Sequence, residues 1–215
     1  MRNAEAYKDF SGLLLKSFTQ QSNLPENCLF VLDGGHLLQS VVWPKSSTYV
    51  DVVQSYISYI LKHHGANQLW CSIDMEVLLQ QRRPAQECTY SDSIFDENMP
   101  TTTTQAAFLA NSKNKMRLIQ ALREKMLMTG IRVKQAEADA NTLIVSTALA
   151  VAESEQVPVV VVGTDTDILV MLVARATAST DMHTLCRCNP VTVFNIQEIQ
   201  DGIGDTKNHL MFFMP

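Results

Sequence analysis

The sequence predicts an α/β fold: three layers, with a mostly parallel twisted sheet and helices on both faces. Three observations carry that expectation. Apolar runs of strand length alternate along the chain with amphipathic helical stretches, the pattern of strands linked by crossover helices. Four of those runs are followed at their carboxyl ends by acidic residues, where open α/β sheets bind ligands. The 215 residues are 46% hydrophobic and 18% charged, a composition that builds a buried core and excludes a disordered chain.

Residues 1–215 read as a single domain, with residues 1–24 as an N-terminal helical extension. Within it, Tyr7–Gln20 places Phe10, Leu13, Leu14 and Phe18 at helical spacing. Asn27–Asp33 is a buried strand ending in an acid, and Gly34-Gly35 marks a sharp turn after it. Tyr49–His64 is a helix with Val52, Val53, Tyr56, Ile57 and Ile60 on one face and Gly65 as its stop. Gln68–Asp74 is a second strand with an acid at its end. Met75–Gln86 begins a helix that Pro84 interrupts, and residues 87–107 form a polar loop that carries Pro100 and four consecutive threonines. Asn111–Thr129 is a helix closed by Gly130, and Ile131–Gln135 the third strand. Ala138–Glu155 is a helix, Val157–Gly163 a fully apolar fourth strand, and Asp165–Ala176 a helix. Val191–Asn195 is a short final strand, with Met182–Arg187 as its candidate partner.

The strand ends carry Asp33, Asp74, Glu137 with Asp139, and Asp165 with Asp167. Any one of these is explained by helix capping, because Asp is a favoured N-cap; Asp139 and Asp165 are open to that reading. All six arising by capping alone is a poorer explanation, since buried carboxylates without partners are costly. Carboxylates gathered without an intervening base repel one another, and a divalent cation relieves that repulsion. Hard ions prefer oxygen donors, so the expected cofactor is Mg²⁺ or Mn²⁺, one ion or two. Two ions about 3.5–4 Å apart activate a water and stabilise the leaving oxygen of an in-line displacement at phosphorus. The histidines form no ligand-spaced pair near the acids; His36 alone lies close to one, Asp33, in sequence.

The order Asp33, Asp74, Glu137-Ala-Asp139, Asp165-Thr-Asp167 resembles the PIN-like domain of the XPG/flap endonuclease superfamily. The strings Phe108–Lys115, Gln135–Ala140 and Gly163–Leu169 are similar to those of an animal group carrying that domain. The resemblance runs from about Cys28 onward. It implies a metal-dependent nuclease that cleaves phosphodiester bonds of DNA or RNA. It assigns Asp33, Asp74, Glu137 and Asp139 to one metal site and Asp165 and Asp167 to the other. It further implies phosphate contacts from Arg82 and Arg83, on the helix after the second acid, although Gln80-Gln81 stands where a more basic helix belongs. Two departures accompany it. Ile73-Asp74-Met75 replaces a Phe-Asp-Gly turn, and the family's further Asp-bearing helix, beyond a strand like Leu210–Phe213, would lie past Pro215, so the domain is expected to be truncated.

Charge distribution agrees with a nucleic-acid partner bound without regard to sequence. The chain is −5 overall, yet Lys113, Lys115, Arg117, Arg123, Lys125, Arg132 and Lys134 stand against a single acid, Glu124, between residues 113 and 134. That segment is +6 and the remainder −11, the pairing of acidic site and basic strip expected for an enzyme acting on a phosphate backbone. Lys113, Lys115 and Arg117 are the candidate backbone contacts; a solvated helix face is the plainer alternative. Five cysteines with no C-x-x-C pair argue against a disulfide framework or a zinc ribbon. No secretory signal or membrane span is legible, so a nuclear or cytoplasmic location is expected. Two further readings remain: a non-catalytic domain that binds nucleic acid or protein, and a phosphatase of the haloacid dehalogenase type, for which Asp165-Thr-Asp167 would be the nucleophile motif.

Overall fold

The computed structural model describes residues 24–65, 69–74, 92, 96–136, 139–186 and 192–204. The expected helices at Tyr7–Gln20 and Met75–Gln86, together with Arg82, Arg83 and Glu137, lie outside the described residues. In chain order the elements are β1 (Leu29–Asp33), α1 (Gly34–Ser40), α2 (Tyr49–His64), β2 (Leu69–Asp74), α3 (Gln105–Ala110), α4 (Ser112–Met128), β3 (Arg132–Ala136), α5 (Ala140–Glu155), β4 (Val159–Val162), α6 (Thr166–Arg175), β5 (Met182–Cys186), β6 (Thr192–Asn195) and α7 (Ile196–Ile203). The protein is an α/β structure and divides into two compact units, one of Asp33–Ala140 and one of Met1–Leu32 with Asn141–Pro215.

The second of these units holds a mostly parallel sheet of four strands. β1 pairs with β4 and β4 with β5, both in parallel, and β6 closes the far edge antiparallel to β5. The final strand therefore does pair with Met182–Cys186, within its candidate partner. Val159, Val160, Val161 and Val162 are all buried, which suits an interior parallel strand and explains why β4 reads as an unbroken valine run rather than an alternating one. α6 buries Ile168, Leu169, Val170, Leu172, Val173 and Ala174; a helix apolar on nearly every side is an interior helix. α7 is an element that the sequence pattern did not announce. Asn195 caps it, accepting from Glu198 N–H at 3.1 Å. The buried Gln200 then donates from Nε2 to the carbonyls of Val173 (2.7 Å) and Ala176 (2.9 Å) at the end of α6.

In the other unit β2 and β3 form a parallel pair, with α2 and α3 packed on α4. α2 occupies the expected range. Its stripe Val52, Val53, Tyr56, Ile57 and Ile60 is buried, Thr48 and Asp51 form a reciprocal capping box, and Gly65 ends it at φ +72°. Trp43, Tyr49 and Phe108 pack ring against ring, with Phe108 5.2 Å from Trp43 and 5.4 Å from Tyr49 between centroids. Trp43 Nε1 donates to Tyr56 Oη at 3.1 Å, and that hydroxyl donates to the Leu38 carbonyl at 2.8 Å. Burial pushes the Tyr56 phenol above its ordinary value.

Two expectations are corrected here. Gly34-Gly35 is not a separate turn but the first turn of α1, because Asp33 caps that helix directly. The polar loop ends at Thr104 rather than at residue 107: Thr104 Oγ1 accepts from Ala107 N–H at 3.3 Å and starts α3. Residues 97–101 are also tied to the start of α2, through Tyr49 N–H to Met99 O, Val50 N–H to Glu97 O and Thr101 N–H to Ser47 O.

Candidate active site

Each acid begins from its strand. Asp33 is the last residue of β1; its backbone leaves the strand at φ −71°, ψ 115°, and its Oδ1 accepts from Gly35 N–H at 2.8 Å. A Cβ at position 35 would lie 3.2 Å from that oxygen, so glycine there lets the carboxylate close over the helix end. Asp74 is the last residue of β2 and stands opposite Ala136 of β3. Glu137 follows Ala136 in sequence and lies outside the described residues, as does the side chain of Asp74. Asp139 is exposed and immediately precedes α5.

Asp165 and Asp167 follow β4 at the start of α6. Asp165 caps the helix, its Oδ1 accepting from Asp167 N–H at 2.9 Å. Its other oxygen, Oδ2, accepts from the side-chain amide Nδ2 of Asn141 at 2.9 Å. Asp167 lies in the first helical turn, where the helix dipole favours negative charge. Asp139, Asp165 and Asp167 are all exposed. The cost of burying unpaired carboxylates therefore does not apply to them, and what they offer a cation is their donor type. The capping reading holds at Asp165, and it holds at Asp33 as well.

The donors suit a hard ion. All are carboxylate oxygens, and magnesium keeps most of its waters while taking one or two carboxylates together with substrate phosphates. Asp165 and Asp167, two residues apart at the start of α6 and open to solvent, could supply such carboxylates. Among the described residues no three His, Cys, Asp or Glu side chains come together as a metal-holding group.

The basic residues are less open than their sequence suggested. Lys113 Nζ pairs with Asp92 Oδ2 at 2.7 Å, and Asn111 Nδ2 donates to Asp92 Oδ1 at 3.0 Å. Hydrogen bonds from Lys113 and then Asn111 hold the Asp92 carboxyl below the ordinary carboxylate range, with the Lys113 and Arg117 charges adding to the effect. Arg117 Nη1 donates to Asn114 Oδ1 at 3.2 Å, and both Lys115 and Arg117 are half-buried. Lys113 and Arg117 are four residues apart and share a face of α4. Lys115 points to roughly the opposite side at about 100° per residue. His36, three residues after Asp33, shares a hydrogen bond between its Nε2 and Ser40 Oγ at 3.1 Å.

Asn141 is the residue that sequence reasoning passed over. The only signal for it was its place two residues after Asp139, and nothing local links it to Asp165, 24 residues away. A cleft of about 700 Å³ lies elsewhere, between residues 40–47 and the outer face of α2, and none of the expected site residues lines it. Among the described residues no helix is long and apolar enough to cross a membrane. No known protein-family model and no curated protein sequence matches the chain.

Proposed function

We propose that the protein is a metal-dependent nuclease with a three-layer PIN-like domain, hydrolysing phosphodiester bonds of DNA or RNA without sequence preference. The observation that supports this best is the Asp165–Asp167 pair: two exposed carboxylates at the N-terminus of α6, directly beyond the interior parallel strand β4. Asp165 and Asp167 would hold one Mg²⁺ or Mn²⁺; Asp33, Asp74, Glu137 and Asp139, also beyond strand ends, would hold the other. Such an ion would supply a Lewis acid and an activated water for displacement at phosphorus. Lys113, Lys115 and Arg117, with Arg82 and Arg83, would be the contacts to the phosphate backbone.

The phosphatase reading requires one Asp165 oxygen as a nucleophile. Both oxygens accept hydrogen bonds, one from the helix end and one from Asn141, which fixes the carboxylate and leaves each oxygen a second lone pair. The binding-only reading differs from the nuclease in one outcome. Labelled single-stranded and flapped DNA and RNA are incubated with the protein in Mg²⁺, in Mn²⁺ and in chelator. Cleavage that needs metal and disappears in Asp165→Ala supports the nuclease; retention of the strand on the protein without cleavage in either metal replaces it with a binding domain. Mg²⁺ should also raise the melting temperature, since an ion that binds only the folded state stabilises it.

A further inference from the structure

We propose that Asn141 is a positioning residue that sets the divalent-ion affinity of Asp165, an inference that rests on the reading of Asp165 and Asp167 as ion ligands. The side chain of an exposed aspartate samples several rotamers, and fixing one costs conformational entropy. Asp165 is held at both oxygens by donors from two separate elements: Asp167 N–H in α6 reaches Oδ1, and Asn141 Nδ2 in the first turn of α5 reaches Oδ2, each at 2.9 Å. Two anchors on one planar group fix both its torsions, so the carboxylate is set before any ion arrives. Each oxygen has a second lone pair for a cation.

The chemistry of the anchor matters as much as its place. A lysine or arginine reaching the same oxygen would cancel the negative charge that draws in a divalent ion. An aspartate there would have no proton to donate and would repel its neighbour. A carboxamide orients the ligand and leaves its charge whole. Groups that orient metal ligands in this way are worth about 10–100-fold in metal affinity or activity. Asn141 is half-buried while Asp165 is exposed, so the anchor itself is the better-ordered partner.

The test measures Mn²⁺ affinity of the whole chain by calorimetry and by electron paramagnetic resonance of free Mn²⁺, alongside melting temperature in chelator. Asn141→Ala should weaken Mn²⁺ binding about tenfold or more. Asn141→Gln, which keeps the donor on a longer arm, should recover part of that loss. A purely structural tether between α5 and α6 would lower the melting temperature in chelator and leave the affinity of the folded protein unchanged. If the alanine variant does not fold, Asn141→Ser takes its place, since its hydroxyl is too short to span to Asp165. Parent-like Mn²⁺ affinity in the folded alanine or serine variant overturns the role of Asn141 and leaves the ion site standing. A parent chain that binds no Mn²⁺ overturns both.

Discussion

Glutamine at position 200 shows how much a single polar side chain carries in this protein. The last carbonyls of a helix have no partners within it, and Gln200 Nε2 satisfies two of them on α6, those of Val173 and Ala176. Gln200 is buried, so truncation would strand those carbonyls without water. Gln200→Ala should cost about 1–3 kcal/mol, read as a lower urea midpoint with an unchanged slope. The Asp92 contact offers a prediction with a defined sign. Its carboxyl is depressed in the folded state by Lys113 and Asn111, so the latch contributes fully above the ordinary carboxylate range. The contribution is lost as pH falls through the depressed value. A carbon-detected titration should find Asp92 below a free aspartate, and Lys113→Gln should move it back up. An Asp92 that titrates as a free side chain in the parent would remove the latch. Neither contact was legible in the sequence: both join residues about 20 or more positions apart, and no local spacing encodes such a meeting.

Helices with a long apolar stripe were legible to within a residue or two at each end, and those decided by one capping group were not. α2 repeats its buried face over four turns and stops on a left-handed glycine, so Tyr49–His64 was fixed by periodicity and that stop. α3 and α7, of six and eight residues, are too short for a period to emerge; they begin where Thr104 and Asn195 accept from backbone N–H groups. α1 was hidden by its own glycines, which usually signal a turn, while Asp33 made them a helix start. The strand-end acids were legible for the reason that makes them ambiguous: a cap and a ligand occupy the same place. Substitution at Asp33 separates the two roles. Asn caps about as well as Asp, whereas alanine does not, so Asp33→Ala should lose about 1 kcal/mol and Asp33→Asn little. If Asp33 is also an ion ligand, the asparagine variant should keep the parent's melting temperature in chelator and still lose Mn²⁺-dependent cleavage. Full cleavage by Asp33→Asn would leave Asp33 as a cap alone.

At the scale of the whole chain the deciding property is charge. A protein at −5 is repelled by nucleic acid on average, so association must depend on the +6 segment from Lys113 to Lys134 acting at short range. That segment is not one uniform strip. Lys113 is already paired with Asp92, Arg117 leans on Asn114, and Lys115 lies on another side of α4. The contributions should therefore be unequal. Lys115→Glu and Arg117→Glu should each weaken binding to any strand alike. Each lost phosphate contact should also make the slope of log affinity against log salt shallower by about 0.7–0.9. Lys113→Glu should cost less than either, because its charge is partly neutralised before a strand arrives. Asp92→Asn tests that directly. By releasing Lys113 it should tighten binding and steepen the salt slope by up to one further contact. Fluorescence anisotropy with labelled DNA and RNA across a salt series gives both quantities. An Asp92→Asn chain that binds no more tightly than the parent would show that Lys113 does not face the strand. A parent that binds neither nucleic acid at low salt would take the proposed substrate away altogether.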